Sequence, residues 1–208
     1  MADGPEPGTQ LNAGPPTTPR QAATVIVLRG GRHTLEVLLV KRNPKQRFMG
    51  GAWVFPGGAV DADEGDGDAA HRVAGVREVA EEVGLELPDP GALVKLSRWI
   101  TPPEVSIRFD THFFLAAAPA EQEAHADGSE CVDLGWFTPQ GALDAYAREE
   151  ILLVFPTIRT LEQLAPFGSA SELLEWASGR EVVPVQPRVV MQGETARIVM
   201  PGEPGYEG

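Results

Sequence analysis

Three glutamates stand close together where a helix is expected. Glu78, Glu81 and Glu82 follow the spacing i, i+3 and i+4, which places three carboxylates side by side on one helix face. Like charges grouped near a helix C-terminus destabilise it, so a positive partner is expected. Oxygen ligands suit hard divalent cations such as Mg²⁺ or Mn²⁺, and the neighbouring Arg77 can orient a carboxylate with its forked guanidinium. Taken alone, such a cluster is more often a solvated acidic surface.

The string around the glutamates is more specific than their charge. Residues 77–85 read REVAEEVGL, and FPGG precedes them at residues 55–58. Both segments resemble the ends of the Nudix box, which closes on R-E-U-x-E-E-x-G-U with U apolar. The resemblance to Nudix hydrolases implies cleavage of a phosphoanhydride bond by metal-activated water. It also implies which residues act: Mg²⁺ or Mn²⁺ held by Glu78, Glu81, Glu82 and the Gly58 carbonyl, with Arg77 among the catalytic residues.

The spacing between the two segments departs from the family. The Nudix box reads G-x5-E-x7-R-E, whereas Gly58 lies 19 positions before Arg77, five more than that pattern gives. Counting back from Arg77 puts the family's first glutamate at Ala69. We therefore infer an insertion within residues 61–68, whose acidic side chains either replace that glutamate or solvate a longer loop. Solvation is the interpretation that we favour for all five: Asp61, Asp63, Glu64, Asp66 and Asp68.

The general base is expected either among the box glutamates or in a later loop. Outside the box, the best candidate for this catalytic role is Glu104, in a proline-rich turn between two predicted strands. Glu130 is a weaker alternative. Both side chains are also consistent with plain exposed loop acids.

Substrate contacts are expected from strand residues near the box. Arg42 and Arg108 are candidates for binding the phosphates, although strand-end arginines are usually solvated. Trp53, and with it Trp99 and Phe55, is a candidate for stacking on a base. Aromatic residues in strands are more often core, so the packing interpretation stays open.

The hydrophobic pattern predicts strands on both sides of the glutamate-rich helix. Apolar residues at helical spacing place that helix over about 69–83, with Gly84 as its C-terminal stop. The resulting fold class is α+β; the family resemblance implies the Nudix fold, a mixed sheet sandwiched between helices (α/β/α). Residues 1–20 are predicted to be a disordered tail. Residues 21–208 form one domain, whose C-terminal extension from about 151 holds helices and a hairpin.

Composition restricts the partners. Thirty acidic against 17 basic residues give a net charge of −13, which argues against nucleic acid and membrane partners. The N-terminal residues do not resemble a signal peptide, and no apolar run reaches the length of a spanning helix. The single cysteine, Cys131, is expected in the core, and a cytoplasmic location fits best.

The substrate class follows from a further resemblance. The run from Trp99 to Ala117 and the segment after Ile151 look like the Nudix branch that includes coenzyme A diphosphatases. The predicted function is cleavage of a small nucleoside-diphosphate derivative, with coenzyme A as a candidate. The alternatives are an ADP-ribose or NADH pyrophosphatase and a Nudix-fold nucleotide sensor without activity. A purely structural acidic protein leaves both box segments unexplained, and the resemblance leaves monomer and homodimer open.

Overall fold

The computed structural model describes residues 10–12, 14–31, 34–46, 48–192 and 195–206. Within them, nine strands and four α-helices follow one another in an order close to the predicted one. The elements are β1 (Arg20–Arg29), β2 (Glu36–Arg42), β3 (Trp53–Val54), β4 (Gly57–Ala59), α1 (Gly67–Val83), β5 (Val94–Ile100), β6 (Phe109–Ala117), β7 (Cys131–Phe137), α2 (Pro139–Ala147), α3 (Phe155–Leu164), α4 (Ala170–Ala177), β8 (Arg188–Gln192) and β9 (Thr195–Val199).

The first seven strands form one mixed sheet. Its order is β3-β2-β1-β6-β5, with β4 paired to β1 and β7 paired to β2. Only the β1–β6 pair is parallel among the described pairings of this sheet. Strand β1 changes partner along its length: Ala22 to Thr24 pair with β4, and Leu28 and Arg29 pair with β2. Because β4 pairs with the first part of β1, Gly57 and Gly58 lie beside the middle of the sheet.

Both faces of the sheet are buried, because alternate residues of the central strands point to opposite sides. On β1, Ile26 and Leu28 join a core cluster that includes residues of α2, α3 and α4, while Val25 and Val27 join a second cluster with α1. Strands β2 and β6 alternate in the same way. Helices therefore cover both faces, which confirms the predicted α+β fold with its α/β/α sandwich.

Helix α1 packs closely on the sheet. It ends at Gly84, whose positive φ of 68° and N–H bond to the Ala80 carbonyl agree with the predicted stop. On its inner face, Gly75 leaves no room for a side chain, since a Cβ there would lie 2.8 Å from Cγ2 of Val25. The glycine thus fixes how closely the helix approaches β1, and with it the height of the glutamates above the sheet.

Residues 10–12 pack against the loop that joins β5 and β6. The Asn12 N–H donates to the Glu104 carbonyl at 2.6 Å, and the Ser106 N–H donates to the Gln10 carbonyl at 2.9 Å. Of the predicted tail, residues 1–9 and 13 lie outside the described residues. The predicted C-terminal hairpin is present as β8 and β9. No helix in the described part of the chain is long and apolar enough to cross a membrane.

Candidate active site

A polar cavity of about 450 Å³ lies between α1, β4 and the loop before β7. We call it the carboxylate cavity, because the three predicted glutamates of α1 line it together with Glu130 and Asp127 of the loop. The other lining residues are Arg42, Gly57, Gly58, Ala59, Arg77 and Ser129. The structure therefore brings Arg77, the three helix glutamates, Gly58 and Arg42 to one place, as expected from the sequence.

Glu82 is the most buried of the three helix glutamates, with 4% of its surface exposed. Its carboxylate accepts a hydrogen bond from the Gly57 N–H at 3.0 Å. Burial raises the pKa of Glu82 to about 7, and the nearby charge of Glu78 adds to this, while the Gly57 N–H opposes it. A cation that entered the cavity would stabilise the ionised form of this buried carboxylate.

Glu78 is also largely buried, with 13% of its side chain exposed. Burial raises its pKa as well, although its ion pair with Arg77 opposes the shift. A Cβ at Gly58 would lie too close to Oε1 of Glu78, so a side chain there would displace the carboxylate. Glycine at the end of FPGG therefore lets this carboxylate lie directly against the backbone. Glu81 differs from both, because 60% of its side chain is exposed.

Arg77 connects the helix glutamates to the insertion. Its Nη1 donates to Glu78 at 2.8 Å and to Glu81 at 2.9 Å, and its Nη2 donates to the Ala59 carbonyl at 3.0 Å. Its Nε donates to Glu64 Oε1 at 2.9 Å. The hydrogen bond to Glu64 is the main reason why the pKa of Arg77 is raised. Arg77 thus acts as the predicted orienting residue.

Glu64 corrects the expectation that the acidic residues of the insertion only solvate a loop. Only 8% of its side chain is exposed, and it pairs with Arg77. Burial acts to raise the pKa of Glu64, but its hydrogen bonds with Arg77 and the Asp61 backbone outweigh burial and lower it. The signal was present in the sequence: counting forward from Gly58 by G-x5-E falls on Glu64. The extra five residues therefore lie between Glu64 and Arg77.

The loop before β7 is held in shape by Asp127. Its carboxylate accepts hydrogen bonds from the N–H groups of Ser129, Glu130 and Cys131. Burial acts to raise the pKa of Asp127, but the Ser129 hydroxyl and these backbone donors lower it to about 2. The loop also donates to the end of α1, from the Asp127 N–H to the Glu82 carbonyl at 3.1 Å. Glu130 is thereby fixed beside the helix glutamates.

Glu104 lies elsewhere, contrary to the expectation that it is the later-loop base. Its Oε1 accepts a hydrogen bond from Arg188 Nε at 2.6 Å, and its Oε2 accepts one from the Val189 N–H at 3.1 Å. Burial acts to raise the pKa of Glu104, but these two bonds lower it. The geometry gives Glu104 the task of holding the C-terminal hairpin and leaves Glu130 as the loop glutamate in the cavity.

The residues predicted to contact the substrate also lie in different parts of the structure. Arg42 lines the carboxylate cavity, and its Nε is buried without a hydrogen-bond partner in the described structure. Arg108 is 8% exposed and donates to the backbone carbonyls of Thr101 and Thr17. These bonds give it a role in stabilising the backbone and not in binding a phosphate. Trp53 is also a core residue, packed edge-on against Phe137 with ring centroids 5.4 Å apart.

A second space of about 390 Å³, which we call the apolar cleft, adjoins the carboxylate cavity. The two spaces share four lining residues: Arg42, Gly57, Gly58 and Ala59. Its other walls come from strands β1, β5 and β6, the start of α3 and the C-terminal hairpin. Trp99 and Phe55, named above as stacking candidates, lie in these walls, among mostly apolar side chains. A ligand with a polar end and an apolar end matches this arrangement.

The carboxylate cavity lies within a recognised domain. The Nudix domain family model matches residues 18–158, more than half of the chain. This chain belongs to the Nudix family. The enzyme class predicted from the sequence, a Nudix hydrolase, is thereby confirmed. The matched segment contains every residue of the carboxylate cavity but ends before α4 and the C-terminal hairpin.

Similar proteins support the assignment. Acyl-coenzyme A diphosphatase NUDT19 from Homo sapiens is 23% identical, over 82% of this Nudix chain and 72% of the human protein. Putative nudix hydrolase 7 from Caenorhabditis elegans is 26% identical, over 70% of this chain and 60% of its own length. A NUDIX hydrolase structure from Alicyclobacillus acidocaldarius is 28% identical with a TM-score of 0.70, covering 76% of this chain and 96% of that one.

A more distant structure shares the fold alone. The NUDIX domain of Shewanella oneidensis NrtR, solved in complex with ADP ribose, is 18% identical with a TM-score of 0.53. It covers 71% of this chain and 86% of that one.

Nudix hydrolases generally use divalent metal ions, and the residues of the carboxylate cavity fit one. Two buried carboxylates with raised pKa values and a third at the surface form a hard, oxygen-rich donor set. Within the described residues, no three acidic, histidine or cysteine side chains converge as ligands, and Arg77 holds Glu78 and Glu81. A cation would compete with this guanidinium for the same oxygens.

Proposed function

We propose that this Nudix protein hydrolyses the pyrophosphate bond of coenzyme A or of an acyl-coenzyme A, with Mg²⁺ or Mn²⁺. The observation that carries the proposal is the shared wall of the two spaces: Arg42 and residues 57–59 line both the carboxylate cavity and the apolar cleft. A pyrophosphate at this wall would have carboxylates on one side and apolar surface on the other. The human and Xenopus laevis relatives named acyl-coenzyme A diphosphatase support this choice.

Arg42 is suited to hold the pyrophosphate. It lines both the carboxylate cavity and the apolar cleft. A phosphate offers hydrogen-bond acceptors and a charge of the right sign for a guanidinium. In a chain of net charge −13, this arginine together with a bound cation offsets the local repulsion that a polyanionic substrate would meet.

The reaction divides tasks among the residues of the cavity. Glu78, Glu81 and Glu82 would hold the divalent ion, which supplies charge neutralisation and acidifies the attacking water. Arg77, itself held by Glu64, positions Glu78 and Glu81. Glu130, at the rim of the cavity, is placed to accept the water proton.

Hydrolysis of the pyrophosphate forms one phosphorus–oxygen bond and breaks another. The water oxygen bonds to one phosphorus, its proton passes to the base, and the bond from that phosphorus to the bridging oxygen breaks. The second phosphate leaves with the electron pair. For coenzyme A, the products are adenosine 3′,5′-bisphosphate and 4′-phosphopantetheine.

The test is a substrate panel with a matched variant. Coenzyme A, lauroyl-coenzyme A, ADP-ribose, NADH and ATP are each incubated with Mg²⁺ or Mn²⁺, and the products are separated by chromatography. We expect metal-dependent cleavage of the two coenzyme A compounds and a loss of at least about a hundredfold in Glu81→Gln. Asp63→Asn, which changes an exposed acid of the insertion, serves as the control and should retain full activity.

Other outcomes would replace the proposal. Preferential cleavage of ADP-ribose or NADH would make the protein a pyrophosphatase of those compounds. Tight nucleotide binding without cleavage across the whole panel would make it a sensor. The cytoplasmic location expected from the sequence stays a prediction, and the choice between monomer and homodimer stays open.

A further inference from the structure

One wall of the apolar cleft comes from outside the segment that matches the Nudix domain. Val189 of β8 and Ile198 of β9 both line the cleft and pair directly across the hairpin. Directly opposed residues of an antiparallel pair lie on the same face. The two side chains therefore form one apolar surface that faces the space beside the carboxylate cavity.

The hairpin is fixed in place by contacts at its base. Glu104 binds both the Arg188 side chain and the Val189 backbone N–H. Upstream, Val185 pairs with Trp99, and its carbonyl accepts a hydrogen bond from the Ile100 N–H at 2.8 Å. Strand β5 and the loop after it thus hold the hairpin against the cleft, so that its apolar face is a formed wall.

The apolar surface continues from the cleft to the solvent. Met191 follows Val189 by two residues, on the same face of β8, and 58% of its surface is exposed. Ile107, which lines the cleft, is 45% exposed. Among the described lining residues, only Arg20 and Arg42 carry a charge. Four threonines also line the cleft, and most of the remaining lining side chains are apolar, which suits a hydrocarbon chain.

We propose that the C-terminal hairpin selects the acyl chain of the substrate, with Val189 and Ile198 as specificity-determining residues. The inference rests on the proposed function, because the pyrophosphate must occupy the carboxylate cavity for the chain to reach the hairpin. Its ligand class is a fatty acyl thioester whose hydrocarbon lies between the hairpin and the sheet. Glu104 is then a positioning residue, which acts by holding β8.

The test compares two substrates that differ only in the acyl chain. For the wild type, kcat/KM is expected to be higher with lauroyl-coenzyme A than with coenzyme A, because the chain buries apolar surface. In the double variant Val189→Ser, Ile198→Ser, that ratio should fall about tenfold. Val190→Ser, on the other face of the same strand, should leave the ratio intact. Glu104→Gln should lower the ratio in the same direction.

Binding separates failure of this inference from failure of the proposed function. The Kd values of both compounds are measured for Glu81→Gln, with and without the two serine substitutions. A wild type that cleaves neither compound, with a Glu81→Gln protein that binds neither, overturns the proposed function and the inference with it. An active wild type whose ratio is unchanged by the serine substitutions overturns only the hairpin's role. An equal loss with both compounds does the same, since it shows a general structural effect.

Discussion

Glu64 and Arg77 are joined at two points, Oε1 to Nε at 2.9 Å and Oε2 to Nη2 at 3.4 Å. The pair spans a stretch that is five residues longer than the Nudix spacing, so the extra residues are accommodated without separating the two ends of the box. The guanidinium that Glu64 holds is the one that bonds Glu78 and Glu81. A residue of the loop between β4 and α1 therefore holds the guanidinium that contacts two candidate metal ligands.

Replacing Glu64 by Gln should impair catalysis without unfolding the protein. Gln keeps the size of the side chain but removes the charge that orients Arg77, so the helix carboxylates lose their alignment. We expect kcat/KM to fall about 10- to 100-fold, as is usual when a partner of metal ligands is removed. Steady-state kinetics at several Mg²⁺ concentrations measure the change. Asp63→Asn is the control, and equal activity of the two variants would contradict the role of Glu64.

Replacing Glu130 by Gln should lower kcat more than it changes KM. A general base acts in the transition state, and its loss typically costs about 10²- to 10⁴-fold in rate. Glu123→Gln, an exposed change in the same loop, should have no effect. With coenzyme A as substrate, Glu104→Gln should retain most of the wild-type kcat. If Glu130→Gln were fully active and Glu104→Gln inactive, the sequence-based choice of base would be restored.

Replacing Arg42 by Gln should weaken binding of every pyrophosphate substrate to a similar extent. The guanidinium at the wall shared by the two spaces is expected to bond phosphate oxygens, so its loss should raise KM by about tenfold or more whatever the acyl chain. Lys45→Gln removes an exposed cation from the turn after β2 and serves as the control. A change confined to long-chain substrates would show that Arg42 faces the chain instead.

A pair of stacked histidines on the α1 side of the sheet predicts a pH dependence of stability. The rings of His71 and His112 lie parallel with centroids 3.7 Å apart, and 6% of His112 is exposed. Burial lowers the pKa of His112 from 6.5 to about 4, and His71, Lys95 and Arg98 add to this, while Asp110 opposes it. The folded state therefore favours neutral His112.

The sign follows from linkage. Because the pKa is lower in the folded state, the unfolded chain binds more protons between pH 6.5 and 4, and stability falls as the pH falls through that range. At pH 5 we expect a loss of about 1 to 2 kcal/mol relative to pH 7.5 from this residue. Urea unfolding of wild type and His112→Gln at both pH values measures it. The variant should lose less stability on acidification, and equal slopes would contradict the assignment.

The fold was largely predictable because its signals are local. Helix α1 and its glycine stop lie within two residues of the predicted ends, since both are set by side-chain periodicity and a terminating residue. The box glutamates and Arg42 were predicted for the same reason. Their positions follow from one helix and one strand end that the sheet brings together.

The remaining site residues depend on contacts between distant segments. Glu104 resembled a free loop acid until a strand 84 residues later in the chain supplied Arg188 as its partner. Trp53 was correctly placed in a strand, whereas Arg108 lies just before β6, and only the packed structure shows that Arg108 holds the backbone and Trp53 fills the core. Glu64 was missed because the family spacing was counted back from Arg77, which placed the extra residues before the family's first glutamate and not after it.

The hydrogen bonds from the loop before β7 to the end of α1 have a mechanical consequence. The N–H groups of His125 and Asp127 donate to the carbonyls of Val83 and Glu82, which have no acceptor role left within the helix. The end of α1 and the loop should therefore move together. Thermal motion would change the entrance of the site more than the separation of Glu130 from the helix carboxylates.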